Sequence, residues 1–192
     1  MLNKTATIAA LAFFMGMSFN VIADDDRDDD RGRSKHFVFN LIGPGQMYEG
    51  TVPDIDGDFI DDPAICFDTE LVNLKTQRKI GTATDCLSNV TAAGSGLKLV
   101  GTSYFRTKKG TLITRGNTTV QPVLQPTVTP NGQNVTHITG ASGDGNSIIG
   151  GTGRFANKTG TVRLSGMVDM ANFGGNVGNP IVFDCIFVVD IN

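Results

Sequence analysis

Residues 148–166 read I-I-G-G-T-G-R-F-A-N-K-T-G-T-V-R-L-S-G, and no other stretch constrains the fold as much. A short apolar run enters a Gly-rich turn, Phe155 follows, a second turn comes at Gly160, and an alternating strand resumes. Gly150, Gly151 and Gly153 permit positive φ and close backbone approach, which a sharp corner between strands requires. The same glycines do not make a nucleotide loop. Gly151-Thr152-Gly153-Arg154-Phe155-Ala156 lacks a third Gly, and no Gly-Lys-Ser/Thr follows. Thr161–Met170 alternates like a strand, whereas a phosphate loop must open a helix.

The rest of the chain fits an all-β reading. His36–Ile42 predicts a strand, and Gly43-Pro44-Gly45 a turn. Ile65–Leu74 and Arg78–Leu87 read as two strands joined through Lys75-Thr76-Gln77. Leu97–Thr107 and Thr111–Val120 read as two more, joined through Lys108-Lys109-Gly110. Pro122, Pro126 and Pro130 with Asn131-Gly132 predict a long loop. Asn134–Ala141, Thr161–Met170 and Ile181–Ile191 complete the series, with turns at 142–145 and 172–180. Short alternating runs at this spacing, without helical periodicity, indicate a barrel or sandwich. A barrel leaves no sheet edge open, so the long apolar first and last strands are expected to pair with each other.

Residues 1–23 have a cationic start, an apolar run and small residues before Asp24, the pattern of a secretory signal peptide. Residues 24–35, D-D-D-R-D-D-D-R-G-R-S-K, cannot bury anything and read as a disordered charged arm. The domain is expected over 36–192, in a secreted or periplasmic protein with no membrane span after signal cleavage. A net charge of −3 argues against a nucleic-acid partner. Cys66, Cys86 and Cys185 predict one disulfide and one free thiol in an oxidising compartment. Cys86–Cys185 is the expected pair, and Cys66–Cys86, opposite each other in a hairpin, is its rival.

The Gly-rich corner resembles the G-G-T-G-x-F signature of the dirigent and allene-oxide-cyclase barrel family. Cys66-Phe67-Asp68, Thr82–Leu87, Thr136–Ala141 and Phe183–Phe187 look like that family's bacterial secreted members, and the match covers about residues 36–192. The resemblance implies a closed antiparallel eight-stranded barrel, calycin-like, that holds a small apolar molecule. It further implies an isomerase of the cyclase type, or a protein that steers a stereoselective coupling. The plant enzymes' catalytic residues do not map onto a motif here.

Charged and polar residues within apolar strands are the candidate site: Asp85, Tyr104, His137, Arg163 and Asp184, with Arg115 on a further strand. A buried carboxylate must be paired or protonated. Neighbouring strand residues point to opposite faces, so the aspartates beside Cys86 and Cys185 face inward only if those thiols face outward. An Asp–Arg pair that pins strand register is the competing explanation. A lone strand histidine such as His137 is usually structural, and no His-based metal site is indicated.

Asp54, Asp56, Asp58, Asp61 and Asp62 cluster around Gly57. The spacing resembles extracellular calcium loops but departs from the EF-hand, so no cofactor is required and structural calcium is the candidate. Two functions follow. One is a secreted barrel with a small apolar ligand in its lumen. The other is a non-catalytic carrier or surface module that works through partner contacts or as a homo-oligomer.

Overall fold

In the computed structural model, the described residues are 35–192 apart from Asn131 and Gly175. The signal peptide and nearly all of the charged arm lie outside them. Ten antiparallel strands form one sheet: β1 (Lys35–Gln46), β2 (Tyr48–Val52), β3 (Asp62–Asn73), β4 (Arg78–Ala93), β5 (Gly96–Thr107), β6 (Gly110–Val128), β7 (Asn134–Ala141), β8 (Ser147–Gly151), β9 (Gly160–Asp169) and β10 (Pro180–Ile191). The order β1-β10-β9-β7-β6-β5-β4-β3 returns to β1 through Asn40, Leu41 and Ile42 against Val72, Leu71 and Glu70. Eight strands therefore ring round, as the all-β barrel expectation required. The first and last strands pair along their whole length, from Lys35 opposite Ile191 to Gln46 opposite Pro180.

β2 and β8 stand off the ring. β1 and β2 share one edge of β3, because the chain bends at buried Met47 between them. β8 leans on β6 and runs into the 3-10 turn Gly153–Phe155. This is the sharp corner expected at the glycines. Gly153 has φ +56, and a Cβ there would lie 2.4 Å from the Lys109 carbonyl oxygen. Gly151 needs its hydrogen for another reason: a Cβ would lie 2.5 Å from the Phe155 carbonyl oxygen. The corner drives Phe155 into the core against Phe37.

Two turn expectations need correction. Gly43-Pro44-Gly45 continues β1, because the β10 partner strand runs alongside it to Pro180. Pro122 and Pro126 lie within β6, which continues to Val128. A register shift between Pro122 and Thr127 lets β6 and β7 pair on both sides of the irregularity. Pro lacks the N–H a regular ladder needs, so it sits at such breaks.

The lower half of the ring is filled. Phe37, Phe39 and Phe105 stack in sequence and Phe187 meets Phe105 edge-on, with centroids 5.0–6.1 Å apart, and Phe67 meets Phe183 at 5.2 Å. The upper half is where a site can exist.

Candidate functional site in the upper lumen

Three strands build the site in layers. On β4, β5 and β6 the inward residues Ala83, Phe105 and Leu112 are cross-strand neighbours and close the aromatic half. The next inward row is Asp85, Ser103 and Thr114. Above it come Leu87, Gly101 and Gly116, where Gly101 carries no side chain into the lumen and the Asn146 side chain takes the space a Cβ on Gly116 would occupy. The result is a cavity of about 50 Å3 with a polar floor and walls that Leu97, Leu99, Val120 and Leu164 share with Thr118, Thr139 and Asn146. Val90 lines it and is exposed, so the cavity reaches the surface at that end.

Asp85 is the ionisable residue of that floor. It is 4% exposed, and its Oδ1 accepts a 2.6 Å hydrogen bond from Ser103 Oγ. Burial pushes its carboxyl up to about 7, and the Ser103 bond only partly offsets this. No Lys or His among the described residues lines the cavity. Arg115 borders it, but its guanidinium is turned away. It donates to Thr102 Oγ1 at 3.2 Å, to the Asp54 carbonyl at 2.8 Å and to the Pro53 carbonyl. Beneath the floor, the buried Cys185 thiol is pushed well up by burial and then by the Asp85 charge.

The other candidates do not join Asp85. Asp184 alternates with buried Phe183 and Cys185 and so faces outward, opposite Met167. Arg163 is also outside, 3.7 Å from Asp190, which His36 contacts as well. Tyr104 lies on the outer face of β5, with the Arg106 guanidinium 5.5 Å from its ring. Burial raises its hydroxyl above the usual phenol value. His137 shares the inward parity of Val135 and Thr139, but its Nδ1 meets Thr136 Oγ1 at 2.9 Å and it does not line the cavity.

The cysteine pairing also differs from the expected one. Cys66 bonds Cys86, directly opposite it on β3 and β4, with Cα atoms 4.0 Å apart, and Cys185 is free and buried. Cys86 points out of the ring while Cys185 points in, and their strands are not neighbours, so no bond between them is geometrically open. The bridge therefore lies on the outer face, and Asp85 faces inward as that arrangement demands. Asp184 does not, because its neighbour Cys185 is an inward residue.

The acidic loop covers the bridge. Val52, Ala64 and both bridged cysteines form a small apolar cluster against which Ile55 and Tyr104 pack. Asp54 Oδ1 and Oδ2 accept from the Gly57 and Phe59 amides at 2.6 and 2.8 Å. Those bonds hold its carboxyl below the ordinary range, Gly57 contributing most. Asp62 Oδ2 accepts from the Ile55 amide at 2.5 Å. Of the five aspartates, Asp54, Asp56 and Asp58 bring one oxygen each within 4.8 Å of one another; Asp61 and Asp62 stand outside that group.

Sequence reasoning missed Ser103 and Thr114. The tight turn after Thr107 sets Thr107 opposite Gly110, and counting back along that register places Ser103 opposite Thr114. The β5–β6 half of the floor was thus open to prediction.

No family model matches the chain, and no curated protein does. Among solved structures, pyocyanin demethylase aligns over 79% of this chain and 99% of its own, at 13% identity and a TM-score of 0.41. A similarity that low carries no argument about this chain.

Proposed function

We propose that this protein is a secreted β-barrel module that binds a small apolar molecule in its upper lumen. One observation carries the reading: a carboxyl with no cationic partner is held in an apolar cavity that reaches the surface. Such burial costs stability, and groups perturbed this way concentrate where ligands bind. The cavity of about 50 Å3 is far below the several hundred Å3 of drug-sized pockets. The ligand is therefore small or slender, or the half-buried Leu97, Met170 and Phe173 side chains move to admit it. An isomerisation or cyclisation, which the resemblance to the cyclase barrels implies, would rest on confinement and on Asp85 as proton donor or acceptor.

Native mass spectrometry of the protein purified from its source tests the reading. The wild type should retain a small molecule that Gly101→Leu, which fills the glycine row, does not. A wild-type protein that is empty and fails to take up short alkanols contradicts it.

The same reading includes a weak structural calcium ion held by Asp54, Asp56 and Asp58, an oxygen donor set suited to a hard cation. A second reading, a surface module acting as a homo-oligomer, draws on the outer face. There Ile138 pairs with Met167, and Val38 and Ile186 are exposed nearby on β1 and β10. Sedimentation of the wild type against Ile186→Asp distinguishes it: a monomeric wild type removes this reading.

A further inference from the structure

We infer that the lumen selects a slender apolar amine, bound head-down, with its ammonium on Asp85 and its tail toward Val90. This rests on the proposed lumen site and adds the charge and orientation of its ligand. Asp85, Ser103 and Thr114 form one row of the cavity, and above it Leu87, Leu97, Leu99 and Val120 share the wall with Thr118 and Asn146. Among the described residues Asp85 is the one charged group turned into the lumen, so a charged head group belongs at its row and an apolar tail toward Val90.

The sign of the head group follows from charge balance. Asp85 is 96% removed from solvent and takes only the Ser103 hydroxyl as a partner, while the nearest guanidinium, on Arg115, is committed to loop carbonyls on the outer side. Cys185 and Asp184, neighbours on β10, are acids as well, the thiol under the charges of both Asp85 and Asp184, so neither supplies a positive charge. A ligand carboxylate placed here would bury a second negative charge beside the first, which is strongly unfavourable. An ammonium supplies the missing counter-charge and three donors, for Asp85 and for the two hydroxyl oxygens beside it. A neutral alcohol supplies one donor and no charge.

The experiment is calorimetric titration at pH 8 with three six-carbon probes: hexylamine, hexanol and hexanoate. Wild type, Asp85→Asn and Gly101→Leu are compared. The wild type should bind hexylamine at least tenfold more tightly than hexanol, and hexanoate most weakly. Asp85→Asn should bring hexylamine down to the level of hexanol, and Gly101→Leu should lose both. If hexanol binds and Gly101→Leu abolishes it, but hexylamine has no advantage, the amine inference fails and the lumen site stands. A hexylamine preference that survives either substitution places the amine on the acidic surface and overturns the inference. If none of the probes binds the wild type, the lumen site itself fails and takes the inference with it.

Discussion

Asp85 and Ser103 face each other across β4 and β5 inside the ring, with 2.6 Å between the serine Oγ and the carboxylate Oδ1. One hydroxyl is a weak partner for a charge taken out of water, so the acid stays protonated to unusually high pH. Its place above the aromatic layer and below the row of Leu87 and Gly101 makes it the floor of the upper lumen.

Stability should therefore fall as pH rises through the acid-to-neutral range. The unfolded chain loses the Asp85 proton near the ordinary value of 3.8, whereas the folded protein keeps it to about 7. Between those values the folded state binds more protons, so the unfolding free energy declines with pH and levels off above about 7. The whole effect is roughly 4 kcal/mol. Asp85→Asn removes it, and should melt above the wild type at pH 8 and converge with it at pH 4. Equal melting temperatures at pH 8 would show that the carboxyl is solvated.

Peptide mapping of the non-reduced protein should pair Cys66 with Cys86, and Cys185 should alkylate only after unfolding. The bridge spans a sequence separation of 20 residues, and by chain entropy it contributes about 3 kcal/mol. The double Cys66→Ser, Cys86→Ser variant should lose about that much in urea unfolding. A mapped Cys86–Cys185 peptide would contradict the register of β3 and β4.

Arg115 fastens the acidic loop over that bridge through the Pro53 and Asp54 carbonyls. Arg115→Met should speed reduction of Cys66–Cys86 by dithiothreitol several-fold while leaving the far-ultraviolet spectrum unchanged. An unaltered reduction rate would mean that the loop does not shield the sulfurs.

The corner glycines should not be equivalent. Gly153→Val forces a side chain into the left-handed region and against the Lys109 carbonyl, and should cost more than about 1 kcal/mol. Gly150→Ala meets nothing nearer than Ile113 Cδ1 at 3.6 Å and should be close to neutral. Equal melting temperatures for the two variants would place the corner elsewhere.

Calcium at millimolar concentration should raise the melting temperature by mass action, and Asp56→Asn with Asp58→Asn should abolish the gain. No shift in the wild type would leave the carboxylates as acceptors for the loop's own amides.

Most strands were legible because alternation survives in them, although the short β2 was not, and the Gly151–Phe155 corner was legible because few residues other than glycine fit it. Register was not. From the turn after Asn73, a regular hairpin would set Cys66 opposite Asp85; the β4 residue Ile80, unpaired at a bulge, shifts the pair to Cys66 and Cys86. From the turn after Ala93, a regular hairpin would set Asp85 opposite Tyr104. Asn89, at φ +50, and Val90 stand against Leu99 alone, and this second bulge gives Asp85 to Ser103. Each bulge flips the faces beyond it. Gly81 beside Ile80 marks the first, but the second has neither glycine nor proline, so the pairing of the inward acid with Ser103 could not be read by counting from that turn. The same flip explains why Tyr104 is on the outer face.

The lumen site depends on an Asp85 carboxyl held out of bulk water. Carbon-13 NMR of its side-chain carboxyl, assigned by its loss in Asp85→Asn and followed from pH 3 to pH 9, measures that directly. The titration midpoint should lie near 7. A midpoint near 4 would mean that the carboxyl meets bulk water, and would contradict the enclosed site.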